Sequence, residues 1–204
     1  MVESHATDPR PTPERILDAA LAAFADRGVE ATSLDSLAAE VGVRKQTILY
    51  WFPSKERLLL GVVDHAVAQL GARLSEAAAG ARAGRPGADV GLLDRVVAVV
   101  DATFRLGTTH PQLLAVVREV TRVGPPASTR LATAVEPLVA TASAALAGDV
   151  DPDRVRSVLL AAGARVVGMA TEAEVRADLG LAPDLAWLRA RRRALIASLS
   201  ADLT

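Results

Sequence analysis

The sequence contains no cysteine, only two lysines and few aromatic residues. Without cysteine the chain can form neither a disulfide nor a thiolate-ligated metal site. No apolar run approaches the ~20 residues that a helix needs to span a bilayer. The polar, proline-bearing start of the chain also lacks the apolar segment of a signal peptide. We therefore expect a cytoplasmic protein with no membrane segment.

The chain as a whole is nearly neutral, since its formal net charge is −1 at pH 7. A nearly neutral protein has no overall field that attracts polyanions, so any nucleic-acid site must be local. Half of the 204 residues are hydrophobic, which is enough to bury a core.

Alanine and leucine are abundant, and apolar residues recur at helical spacing rather than at the strand period. The pattern predicts an all-α fold of about nine helices. Glycine and proline set their limits. The predicted helices cover about 12–27, 33–41, 44–51, 55–79, 89–107, 111–123, 126–147, 152–178 and 184–202.

Two domains are expected, 12–72 and 73–204, with the Gly- and Pro-containing stretch 80–91 as the clearest break in the helical pattern. Residues 1–11 are expected to form a disordered arm. In the first domain, Thr32 is predicted to cap the second helix, with Asp35 three residues later completing a capping box.

A helix-turn-helix is predicted over residues 34–53. Ala38 is small where two short helices must cross, and Gly42 tolerates the backbone angles of a tight turn. The pair is expected to be held together by an apolar set made of Leu37, Val41, Val43, Ile48 and Trp51.

The second helix of this motif presents polar and cationic side chains outward. These side chains can bind phosphate or the edges of bases in the major groove. They are Arg44, Lys45, Gln46, Thr47 and Tyr50. Both lysines of the chain lie in this region, and Lys55 stands at the start of a helix, where free backbone N–H groups favour an anion.

Three rings stand in a row at Tyr50, Trp51 and Phe52. A small module has little volume, and each ring can bury ~150–250 Å². We expect Trp51 and Phe52 to pack between the short helices and Tyr50 to lie where the core meets the phosphates.

The segment "TSLDSLAAEVGVRKQTILYWFPSKERLL", residues 32–59, resembles the TetR (tetracycline-repressor) family of bacterial transcriptional regulators. The resemblance implies a phosphate contact at Thr32, a major-groove face at 44–47, a phosphate contact at Lys55 and packing of Phe52 against Phe24. It also implies a C-terminal helical domain that binds a small ligand and dimerises.

From this resemblance we expect a homodimer formed through the helices near 152–178 and 184–202, bound to a double-stranded palindromic operator. A small, hydrophobic effector is expected to release a repressor from the DNA. Candidate effector-binding side chains interrupt the Ala/Val/Leu helices of the second domain. They are Phe104, Arg105, His110, Arg118, Met169 and Trp187.

No catalytic constellation, metal site or cofactor motif is recognised, so the protein is not expected to be an enzyme. An activator, or a regulator controlled by a protein partner, is the alternative among binding proteins. A helical enzyme or a helix-bundle interaction protein is the alternative of another class. The cationic outer face of the third helix favours the DNA-binding regulator.

Overall fold

The protein is described by a computed structural model over residues 12–83, 97–98, 101–102, 104–105, 109–147, 151–181 and 183–203. The described residues are helical apart from short turns. Eight bounded helices are seen in them: α1 (Thr12–Arg27), α2 (Leu34–Val41), α3 (Lys45–Trp51), α4 (Lys55–Ala83), α5 (Pro111–Val123), α6 (Ala127–Ala147), α7 (Pro152–Asp178) and α8 (Leu185–Leu203).

The predicted all-α class is confirmed, and these eight helices lie where the sequence predicts them, with most ends shifted by a residue or so. Helix α4 is longer than expected, because it continues to Ala83 through part of the predicted break at 80–91. The remaining predicted helix, 89–107, lies mostly outside the described residues, although the described pairs 97–98, 101–102 and 104–105 are helical. The predicted arm 1–11 also lies outside them.

Helix ends follow from local chemistry. Gly28 and Gly42 adopt positive φ angles of 82° and 73°, which lets the chain leave α1 and α2 in a left-handed turn. Pro111 and Pro152 occupy first-turn positions of α5 and α7. Asp151 caps α7 as its carboxylate accepts a hydrogen bond from the Asp153 amide, 3.1 Å away.

The N-terminal head, defined as α1–α3 (residues 12–51), shares one apolar core with α4 and α5. Helix α1 contacts α2, α3, α4 and α5. Its buried side chains include Ile16 and Phe24, which are 0% and 1% exposed. Leu37 and Ile48 enter the same core from α2 and α3, and Val116 enters it from α5. The core therefore continues from the head into the rest of the chain.

A second apolar cluster joins α7 and α8. Val155, Val158, Val166, Leu195 and Leu199 are buried in it. Helices α4, α5, α6 and α7 pack around one another and connect this cluster to the head, since α6 contacts both α4 and α7. Among the helices of the described ranges, none is both long and apolar enough to cross a membrane.

The two positive-φ glycines of the head allow a matched stability test. Gly42→Ala should lower the free energy of unfolding by about 1 kcal/mol, because an L-residue is strained in the left-handed region while no atom lies within 4 Å of the added Cβ. Gly28→Ala should cost more, since its Cβ would lie 3.1 Å from Glu119 Oε1. Urea unfolding measures both, and an equal or smaller loss for Gly28→Ala would contradict this packing.

Candidate nucleic-acid interface and effector cavity

The turn before α2 differs from the sequence prediction. Ser33, not Thr32, is the N-cap, and its hydroxyl accepts a hydrogen bond from the Ser36 amide at 3.0 Å. Thr32 is 2% exposed, and its hydroxyl lies 2.8 Å from the Gly28 carbonyl oxygen, to which it donates. The predicted Thr32–Asp35 capping box is therefore wrong. A hydroxyl buried in this way is not presented to a phosphate, which also argues against the contact expected of Thr32.

Helix α3 has one buried side and one exposed side. Ile48 is 0% exposed and faces the core. Arg44 precedes the helix in extended conformation, and its side chain makes no capping hydrogen bond. The remaining side is open to solvent or half-buried and consists of the side chains predicted from the sequence. We call it the α3 outer face: Arg44, Lys45, Gln46, Thr47 and Tyr50.

Both lysines have partners in this structure. Lys45 Nζ lies 2.8 Å from Asp35 Oδ2 in an exposed ion pair between α3 and α2. Lys55 Nζ donates to the Glu30 carbonyl oxygen at 3.1 Å. Exposed pairs of this kind contribute only about 0–1 kcal/mol. A phosphate could therefore replace Asp35 as the partner of Lys45 at little cost.

The aromatic row is only partly core. Tyr50 and Trp51 are 78% and 47% exposed and meet edge to face, with ring centroids 5.2 Å apart. The expectation that Trp51 locks the two helices is wrong, because its ring lies outside the buried cluster. Phe52 packs against the cluster that contains Phe24, and the absence of a side chain at Gly61 leaves room for its ring.

An apolar cavity of about 580 Å³ lies among α4, α5, α6 and α7. In the described part of the chain no Lys, Arg, Asp or Glu lines it, and its polar side chains are His110, Thr121 and Ser128. The apolar lining includes Val67, Leu70 and Leu74 of α4, Leu114 and Val117 of α5, Leu131 and Val135 of α6, and Leu159 and Gly163 of α7.

Of the six predicted effector-binding residues, only His110 lines this cavity. Arg118 instead forms two hydrogen bonds of 2.5 Å with Glu174 of α7. The ring of Trp187 lies against Arg176 and Arg191, each guanidinium carbon being 5.7 Å from its centroid.

The other three predicted residues also lie outside the described lining. Met169 packs against the α7–α8 cluster. Phe104 is half-buried, whereas Arg105 is exposed and its Nε donates to the Asp101 carbonyl oxygen.

The apolar lining was missed because apolar residues at helical spacing look the same whether they fill a core or surround a cavity.

Within the described ranges, no three His, Cys, Asp or Glu side chains come together as metal ligands.

Glu119 of α5 contacts the loop that joins α1 to α2, a link that sequence reasoning missed. Its Oε1 accepts a hydrogen bond of 2.6 Å from the Val29 amide, and its carboxylate also pairs with Arg122. The hydrogen bond from Arg122 lowers the pKa of Glu119 below its ordinary value. Burial opposes this shift, and the hydrogen bond from the Val29 amide adds to it. The carboxylate is thus held charged at a helix–loop contact.

Comparison with known proteins gives one family. Residues 16–62 match the model of the bacterial regulatory proteins of the tetR family. No curated protein sequence matches the chain.

Solved structures with a similar fold cover nearly the whole chain. A transcriptional regulator from Rhodococcus sp. RHA1 has a TM-score of 0.70 at 20% identity, with 94% of this chain and 97% of that chain covered. A TetR transcriptional regulator from Legionella pneumophila has a TM-score of 0.69 at 19% identity, covering 94% and 98%. The regulator FadR from Bacillus subtilis, solved with stearoyl-CoA, has 0.69 at 16% identity, covering 94% and 99%.

Proposed function

We propose that the protein is a cytoplasmic repressor released from DNA by a small apolar effector. The match of residues 16–62 to the tetR-family model and the fold shared with solved TetR-family regulators support this proposal. The protein is not an enzyme in this proposal. The α3 outer face carries the proposal, because all five of its side chains can donate hydrogen bonds to bases or phosphates and two of them are cations.

The footprint on DNA is narrow. Arg44, Lys45, Gln46, Thr47 and Tyr50 are assigned to the major groove and its flanking phosphates, and Lys55 to a phosphate beside them. Thr32 has no part in it, since its hydroxyl is buried. In this scheme residues 12–72 form the DNA-binding domain and 73–204 the effector-binding and dimerisation domain.

Dimerisation through α7 and α8 is supported by the exposed side of each helix. Leu160, Ala164, Gly168, Thr171 and Val175 form one exposed stripe along α7, and Ala186, Ala190, Ala194 and Ala197 form another along α8. Small and apolar side chains allow two copies of this helix pair to approach closely. A dimer would place two α3 helices ~34–36 Å apart, or a multiple of that, to read a palindromic operator.

DNA affinity should depend on the two lysines. We expect Lys45→Ala and Lys55→Ala each to weaken binding to an in vitro selected duplex, and each to reduce the slope of log K against log salt by about one. Fluorescence anisotropy over a salt series measures both quantities. Arg73→Ala is the matched control, because Arg73 is exposed on the same helix as Lys55 but lies about 27 Å further along it.

Asp35→Asn completes this series. It removes the exposed partner of Lys45 and one negative charge beside the expected phosphates. The affinity of Asp35→Asn for the duplex should therefore stay the same or rise.

If the affinity of the parent protein for the duplex did not depend on salt, the proposed interface would be overturned.

The dimer is tested by placing a charge on the α8 stripe. Ala194→Arg should shift the mass measured by light scattering from twice the chain mass of 21.2 kDa toward that mass itself, because an unpaired charge is costly to bury. Operator affinity should fall with it, since one head alone makes half the contacts. Ala39→Arg, on the exposed side of α2, is the control for an added surface arginine and should remain dimeric.

The effector is expected to be apolar, with any charged group outside the cavity, because burying an unpaired charge among its uncharged lining would be unfavourable. The panel should hold neutral lipophiles, fatty acids and their CoA thioesters, the last because Bacillus subtilis FadR was solved with stearoyl-CoA. An effector should weaken operator binding about tenfold or more at saturation, which needs a differential affinity of about 1.4 kcal/mol between free and DNA-bound protein.

The cavity itself is tested by filling it. Gly163 lines the cavity, and no described atom lies within 4 Å of a Cβ placed there. Gly163→Leu should weaken effector binding measured by calorimetry, whereas Ala177→Leu, exposed on the same helix, should not. An effector that binds Gly163→Leu as well as the parent would place its site elsewhere.

A further inference from the structure

Helix α5 separates the cavity from the head. Val116, Val117 and Val120 line the cavity from it. The same helix contacts α1, and Glu119 lies between Val117 and Val120 in sequence but reaches the opposite way, to the α1–α2 loop (residues 28–33). Helix α5 therefore lines the cavity on one side and contacts the N-terminal head on the other.

The contact made by Glu119 is short and mostly shielded from water. The Val29 amide donates to Oε1 at 2.6 Å, and the Glu119 side chain is 13% exposed. Arg122 holds the carboxylate from the solvent side, with its Nε 2.8 Å from Oε2. Gly28 packs so closely that its missing Cβ would lie 3.1 Å from Oε1. The Glu119 carboxylate is thus in close contact with the backbone of the α1–α2 loop at Gly28 and Val29.

The α1–α2 loop is connected to the proposed DNA interface at two points. The Glu30 carbonyl oxygen accepts the hydrogen bond from Lys55, the proposed phosphate ligand. The loop ends at Ser33, the N-cap that starts α2. A shift of this loop would therefore move the start of the helix-turn-helix and the partner of Lys55 together.

We propose that Glu119 is a positioning residue for DNA binding: from α5 it fixes the α1–α2 loop, and with it the start of α2 and the place of Lys55. Glu119 acts through this loop and not by touching DNA. The inference rests on the proposed function for its DNA-binding part, whereas the fixing of the loop can be measured without DNA.

Other pairs between helices provide a control. Arg130 and Asp64 form two hydrogen bonds of 2.7 Å between α6 and α4, and both side chains are more than 40% exposed. This pair links two core helices and does not involve the α1–α2 loop. Asp64→Asn therefore removes a carboxylate and an Arg partner without affecting the loop.

The experiment compares Glu119→Leu, Glu119→Gln and Asp64→Asn with the parent chain. Glutamine keeps a carbonyl oxygen that can accept from the Val29 amide, whereas leucine removes every acceptor. In Glu119→Leu the Val29 amide should exchange with solvent about tenfold faster or more, as for a locally opened segment, and affinity for the selected duplex should fall about tenfold. Glu119→Gln should restore both to within about threefold.

Each readout has an outcome that overturns the proposal. Unchanged Val29 exchange in Glu119→Leu would show that the carboxylate does not fix the loop. Faster exchange with unchanged DNA affinity would show that the loop does not position the interface. If Glu119→Gln were as impaired as Glu119→Leu, the backbone hydrogen bond would not be the cause.

Two controls separate this result from other failures. Asp64→Asn should behave like the parent in both measurements. If it increased Val29 exchange and lowered duplex affinity as much as Glu119→Leu does, the effect of Glu119→Leu would be a general loss of stability. If the parent chain bound no duplex, the proposed function would fail, while the exchange data on the loop would still test the contact. If Glu119→Leu does not fold, Glu119→Ala, which also removes every side-chain acceptor, takes its place in both measurements, with the same expected and contradicting results.

Discussion

The burial of the apolar side of α1 against four neighbouring helices is the interaction on which the described structure depends. Phe24 and Ile16 are almost fully buried where α2, α3, α4 and α5 converge. Three short helices of about two to four turns could not bury enough area alone, since small domains are marginal in stability. The head is therefore stable only as part of a core that α4 and α5 complete. This sharing also means that the head cannot change its orientation without disturbing a helix that lines the cavity.

The positive charge of the chain's two lysines is concentrated at one place on the surface. A chain with a net charge of −1 concentrates both of its lysines beside the α3 outer face. Their partners, Asp35 and the Glu30 carbonyl oxygen, are exposed and weakly held. Such pairs keep long side chains oriented in the free protein and can be exchanged for phosphate oxygens. In the proposed function, a local cationic patch on a nearly neutral protein would limit non-specific attraction to DNA, so that the side chains assigned to the major groove would decide where the protein binds.

The sequence predicted the elements better than the contacts between them. Helix limits followed from glycine, proline and apolar spacing, and the outward side of α3 followed from the burial of Ile48. Trp51 was misassigned because a ring at the end of a seven-residue helix can face either way at little cost in spacing. Adjacent Thr32 and Ser33 are both good caps, and only the packing against α1 decides which hydroxyl is buried. The cavity and the contact of Glu119 join residues far apart in sequence, so no local pattern reveals them.

The position of α5 limits how a ligand could act on the DNA interface. A ligand changes an equilibrium only if it binds one arrangement better than another. Within the cavity it would contact Val117 and Val120, and a movement of these residues would carry Glu119 with them, because all three lie within one turn of a rigid helix. On the far side, Arg118 ties the same turn to Glu174 of α7, the helix assigned to the dimer. A single turn of α5 thus contacts the cavity, the α1–α2 loop and α7. If the cavity and α7 have the proposed roles, a ligand that favours a different position of α5 would change the relative placement of head and dimer through this one helix, without a need for longer pathways through the protein.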